Sequence, residues 1–131
     1  MGHWATEITS HTDRLTALNT TKTKLDGLVT FFTNLPAGTT KEELSTALEN
    51  STNKNDPREG YEDYRDEEVD SYVTWDADQA AVDAHIAERL ATFTTAQTEI
   101  VADITSVTNL KTLAEAKEDG TADPAAEHKP I

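Results

Sequence analysis

Acidic side chains and histidines are the groups of this chain whose types could do chemistry: it has 25 Asp and Glu residues, four His and no Cys. The acids are densest between Asp56 and Asp70, where eight of them stand beside Arg58 and Arg65. The run Asp63 to Asp70 offers oxygen ligands of the kind that Ca²⁺ and Mg²⁺ take. It lacks the EF-hand spacing and its glycine, and Pro57 and Gly60 lie before the run, so a solvated acidic surface is the better reading. Carboxylate pairs for acid–base work are inevitable in so acidic a chain, and their abundance carries no signal without a pocket. His3, His11, His85 and His128 are far apart and form no zinc spacing. Met1-Gly2-His3 could bind copper, but the small second residue favours Met removal, which spoils that site. Ser10, Ser45, Ser51, Ser71 and Ser106 lie in no nucleophile elbow, and there is no Gly-rich phosphate loop. The expectation is a non-enzymatic protein with no catalytic residue, cofactor or metal.

Two periodic apolar blocks must position whatever the chain presents. From Gln79 to Lys117 there is no Gly or Pro, and Ile86, Leu90, Phe93, Ile100, Ile104 and Val107 fall along one stripe. Spacings alternate between four and three, with Gln97 at the one missing step, as in a helix seam that needs a partner. After Val107 the stripe drifts to Leu110 and Leu113, which points to a change of neighbour. The first block, 5–35, repeats Ile8, Leu15, Leu18, Leu25, Val29 and Phe32 by heptad, with polar His11 and Lys22 at the two intervening seam positions. Leu28 and Phe31 widen this stripe near its end, so that end meets more than one neighbour. His11 on an apolar seam is better read as a packed or interfacial histidine than as a ligand, and His85, beside the second seam, likewise.

Between the blocks, Pro36 and Gly38 stop the first helix, and Thr40 with Glu43 has capping-box spacing for a short helix over 41–50. Asp56-Pro57 and Gly60 read as turns. Tyr61, Tyr64, Tyr72 and Trp75 lie within or just after the acidic run, and Tyr72 to Trp75 reads as an extended segment. Asp76 is the expected cap of the long helix, with Asp78 in its first turn. The expected fold is all-α. A long antiparallel, coiled-coil-like helical hairpin (helices about 5–35 and 77–118) has the short helix and an acidic extended segment between its arms. Residues 1–120 form the helical domain, Gly120 stops it, and 121–131 is a tail. Trp4, Tyr61, Tyr64, Tyr72 and Trp75 are the candidate anchors for a partner.

Composition narrows the setting. Leu, Ile, Val and Phe number 24 of 131 residues, and the net charge is −14. That is thin core material, and two narrow seams leave a lone hairpin marginal, so association with copies or other chains is expected. The acidic balance disfavours phosphate backbones and anionic membranes. No apolar run approaches the ~20 residues that span a bilayer. The N-terminus lacks the regions of a signal peptide, although Gly2 and Thr6 match the loose myristoylation pattern. Acids outnumber the 11 bases, and about one residue in six is Thr. This balance resembles the surface composition of proteins from extreme halophiles, an ordinary acidic mesophilic protein being the competing reading. In size, composition and helical pattern the chain is similar to the small helical virion proteins of haloarchaeal tailed viruses. That resemblance implies a structural subunit, a head–tail connector or tail protein, associating with itself and with other structural proteins in a virion assembled in the host cytoplasm. The alternatives are an acidic cytoplasmic module that occupies a basic partner and, more weakly, a cation-stabilised surface protein.

At molar salt the Debye length is ~3 Å and crowded carboxylates repel little, whereas at ~10 mM it is ~30 Å. Helicity measured by circular dichroism should therefore fall markedly between these conditions. An unchanged spectrum would remove the halophile argument.

Overall fold

In the computed structural model the described residues are 4–52 and 64–119. They form four α-helices: α1 (Ala5–Thr33), α2 (Lys41–Glu49), α3 (Tyr64–Thr74) and α4 (Gln79–Asp119). Among the described residues there is no strand, and no helix is long and apolar enough to cross a membrane. Tyr61, the turns at Asp56-Pro57 and Gly60, His3, His128 and the tail 121–131 lie outside the described residues.

Threonine-rich helices need a reason to form, because β-branching costs side-chain freedom in a helix. On α1 the hydroxyls of Thr12, Thr16 and Thr20 donate to the carbonyls of Ile8, Thr12 and Thr16 at 2.9, 3.1 and 3.0 Å. Each hydroxyl is thus satisfied by its own helix, and packing of the opposite face holds the backbone. α1 ends at Thr33, short of Pro36, whose ring disfavours helical backbone in the residue before it. Gly38 then takes φ +81°, a conformation that side chains with a Cβ rarely adopt. α2 starts with the expected capping box: Glu43 N donates to Thr40 Oγ1 at 3.1 Å, and Thr40 N donates to Glu43 Oε1 at 3.0 Å. These bonds hold the exposed Glu43 carboxyl below its ordinary pKa, the backbone bond first.

The expected extended segment is instead α3. Tyr64, Glu68 and Tyr72 are spaced by four, so a helix puts them on one face, while Asp66, Glu67 and Asp70 remain exposed. Asp66 and Glu67 also lie in the first turn, where the helix dipole favours acids. Burial of Tyr64 and Tyr72 overrides the extended preference of the run from Tyr72 to Trp75, and only Trp75 leaves the helix. The cap of α4 is Asp78 rather than Asp76: Ala81 N donates to Asp78 Oδ1 at 2.9 Å, and Val82 N to the Asp78 carbonyl at 3.1 Å.

The chain divides into two compact units, and α1 and α4 contribute to both. The unit of 21–99 holds most of the buried side chains: Leu25, Leu28, Phe32, Leu44, Leu48, Tyr64, Tyr72, Val82 and Phe93. Phe93 is its hub, stacked on Phe32 at 5.9 Å and meeting Tyr64 edge-on at 5.5 Å. α2 packs on α3, Lys41 Nζ donates to the Trp75 carbonyl at 2.7 Å, and Gln79 Nε2 to the Thr39 carbonyl at 2.8 Å.

In the unit of 1–20 with 100–131, the described buried residues are His11, Val107 and Ala114. The buried seam there continues from Val107 to Ala114, and Leu110 and Leu113, onto which the stripe was expected to drift, stand exposed beside it.

Truncating a buried Phe costs ~3–5 kcal/mol. Phe93→Ala should lower stability by about that amount in urea denaturation, whereas exposed Thr95→Ala should change it little or raise it slightly. Equal effects would mean that α4 has a different buried face.

Candidate functional site

The polar side chains that converge most closely come from two pairs spaced i, i+4. Glu68 and Tyr72 share a face of α3, and His85 and Arg89 share a face of α4. Arg89 Nη2 donates to Glu68 Oε1 at 2.6 Å, and Tyr72 Oη donates to Glu68 Oε2 at 2.7 Å. His85 Nε2 lies 2.7 Å from Tyr72 Oη and 3.2 Å from Glu68 Oε2. Because Tyr72 spends its one proton on Glu68, the arrangement is satisfied when His85 Nε2 carries a hydrogen and donates to both oxygens. Trp75 and Tyr72 close over the imidazole, with ring centroids 5.1 and 5.4 Å from it.

The Glu68 side chain is only 13% exposed, and burial alone would raise its pKa. Hydrogen bonds from His85 and Tyr72, with the charge and hydrogen bond of Arg89, outweigh that and hold it at about 2. Burial, then the bond to Glu68 and its charge, push the Tyr72 phenol upward. Burial pulls the Arg89 pKa down, but the Glu68 charge raises it further, so Arg89 stays charged. At neutral pH the cluster is therefore carboxylate, phenol and guanidinium, with the acceptor sites of Glu68 mostly occupied. Such a group clamps α3 to α4 and leaves little capacity for a substrate.

The seam interruptions meet a smaller polar network. Lys22 Nζ donates to Asp26 Oδ2 at 2.8 Å, and Gln97 Nε2 donates to Asp26 Oδ1 at 2.6 Å. Both bonds, Lys22 first, lower the pKa of Asp26. His11, at the other interruption, is 7% exposed, with Nε2 3.5 Å from Glu7 Oε1. That is an electrostatic contact beyond good hydrogen-bond geometry, and both ring nitrogens lack a hydrogen-bond partner among the described residues.

The expected seam residues are placed as follows. Leu25, Phe32, Phe93 and Val107 are buried, and Ile8, Leu15, Leu18, Val29, Ile86, Leu90, Ile100 and Ile104 are half-buried. Of the candidate anchors, Tyr64 and Tyr72 are spent inside the chain at 3% and 2% exposure. Trp75 is half-buried beside His85. Trp4 N donates to Glu118 Oε1 at 3.2 Å, and Lys117 Nζ lies 4.4 Å above the Trp4 ring. Sequence reasoning did not single out Glu68 or Arg89. The four-residue spacing of Tyr64, Glu68 and Tyr72 is the signal that could have found the first. Among the described residues no group of three or more His, Asp or Glu is placed to hold a metal ion. Comparison of the chain with known protein families, characterised proteins and solved structures finds no match.

Glu68 has its pKa depressed, so its contribution is full above the ordinary value of 4.5 and is lost as pH falls from there through about 2. The shift corresponds to ~3 kcal/mol. Glu68→Gln should destabilise by about that much at pH 7, and the gap to the unsubstituted chain should close as pH approaches 2. Glu67→Gln, an exposed neighbour with the same charge change, should have little effect at either pH. Urea denaturation at both pH values checks this, and a gap that does not narrow would remove the clamp.

Proposed function

We propose that the chain is a non-enzymatic structural subunit of a larger halophilic assembly, with α1 and α4 running as an antiparallel, coiled-coil-like hairpin. The observation that carries this reading is the half-burial of its seams. Ile8, Leu15, Leu18, Ile100 and Ile104 all keep part of their surface open, although their spacing is that of a packed seam. A two-helix unit with so few buried residues gains stability from whatever covers the remaining apolar surface. Contacts support the hairpin: within the unit of 21–99, Asp26 meets Gln97 and Phe32 meets Phe93, so rising numbers on α1 meet falling numbers on α4.

The internal use of Glu68, Tyr72, His85 and Arg89 supports a scaffolding role over a chemical one. The acidic, threonine-rich composition supports a setting at high salt. A component of a haloarchaeal tailed-virus particle, either a connector between head and tail or a tail protein, combines these features and assembles in the host cytoplasm. A second reading draws on α3, whose outward face holds exposed Asp66, Glu67 and Asp70. That face would suit a cytoplasmic module that occupies a basic partner.

Mass measurement by analytical ultracentrifugation in molar KCl separates the two. The assembly reading expects ring-sized or filamentous species. A monomer or dimer that captures a basic protein stoichiometrically would support the second reading and overturn the first.

A further inference from the structure

The unit of 1–20 with 100–131 has a weak layer and, beyond it, a fastening. The weak layer is at His11, on the α1 seam between half-buried Ile8 and Leu15. The residue is 7% exposed, and neither ring nitrogen has a hydrogen-bond partner among the described residues. A neutral imidazole brings one donor and one acceptor, so closing this layer takes both from water and returns a bond for neither. On α4 the inward stripe is Val107, Lys111, Ala114 and Glu118, of which only Val107 and the small Ala114 are buried. Little apolar surface is there to offset the imidazole.

The fastening joins the start of α1 to the last turn of α4. Trp4 N donates to Glu118 Oε1 at 3.2 Å, and Lys117 Nζ lies 4.4 Å from the centroid of the Trp4 ring. The Trp4 carbonyl accepts from Ile8 N at 2.9 Å, so the residue that meets α4 also begins the α1 ladder. An indole covers a large apolar area and attracts a cation to its face. These groups are partly buried, so salt weakens their contacts far less than it weakens those of charges on the open surface.

We propose that this unit is a latched end. Trp4, Lys117 and Glu118 hold shut a pair of helix ends that the buried His11 disposes to separate, and the pair opens while the unit of 21–99 stays folded. The inference goes beyond the assembly reading and does not depend on it. Opening gives water to both imidazole nitrogens. It also bares Ile8, Leu15 and Leu18, which the closed end keeps half-buried.

The unit of 21–99 treats its polar groups differently. The seam interruption at Lys22 is bonded to Asp26, which also accepts from Gln97. Arg89 Nε lacks a partner among the described residues, but Nη2 of the same guanidinium keeps its bond to Glu68. That unit also has nine buried apolar side chains among the described residues, against two in the latched end. Local opening is drawn from the part of a fold with the fewest buried apolar contacts.

Native-state hydrogen exchange of the full chain in molar KCl, read amide by amide, tests this. Amides of 8–18 and 104–116 should exchange through an opening that leaves those of 25–32 and 86–96 protected. Phe93→Leu, a mild truncation at the hub of 21–99, should speed exchange at 25–32 and leave 8–18 unchanged. Trp4→Ala should speed exchange at 8–18 about tenfold or more, and His11→Leu should slow it by a similar factor. Exchange at 8–18 that rises together with 25–32 in Phe93→Leu would show that the chain opens as one and would overturn the latched end. Exchange at 8–18 that does not slow in His11→Leu, or does not quicken in Trp4→Ala, would overturn it as well.

Discussion

Folding takes Glu68 out of water in a chain that already carries far more acid than base. The structure can bear this only because Arg89, one of 11 basic residues, is delivered to the same place. A buried carboxylate without its partner would be costly enough to expel the helix that carries it. The ion pair and the Tyr72 bond therefore fix the rotation of α3 about its own axis. That rotation turns Tyr64 onto Phe93 and leaves Asp66, Glu67 and Asp70 in solvent. Through Phe93 the same constraint reaches Phe32, so α1, α3 and α4 share one aromatic junction.

The long helices were legible because burial along them follows the helical period. Leu25, Phe32, Phe93 and Val107 stand on the expected stripes and are buried. The helical class was legible for the same reason. α3 was not, because its inward face alternates aromatic with charged residues, and apolar periodicity does not register a glutamate that faces inward. The run from Tyr72 to Trp75 adds extended-chain preference that tertiary burial overrules. At the far end of α4, Ala114 fills the buried seam at 2% exposure, a residue too small to stand out in an apolar pattern beside the larger, exposed Leu110 and Leu113. The clamp itself was written as two i, i+4 pairs on different helices, and nothing in one sequence says that those two faces meet.

The two units solve the shortage of apolar residues differently. In 21–99 the short helices α2 and α3 add Leu44, Leu48, Tyr64 and Tyr72 to the buried side chains of the long ones. In 1–20 with 100–131 the described structure holds only parts of α1 and α4, and its buried set includes His11, a polar group. Threonines on the outer face of α1 there satisfy their hydroxyls on their own backbone, but they add nothing to the core.

The chain has two tryptophans, and they fall one to each unit: Trp4 beneath the Lys117 ammonium, Trp75 against the His85 ring. Each unit thus contains its own intrinsic fluorophore, and each fluorophore sits next to a different polar neighbour that shapes its emission. Chains that keep a single indole would report the melting of one unit at a time, without any attached label. Whether the two signals coincide is then a direct measure of how far cooperativity travels along α1 and α4, the two helices that run from one unit into the other.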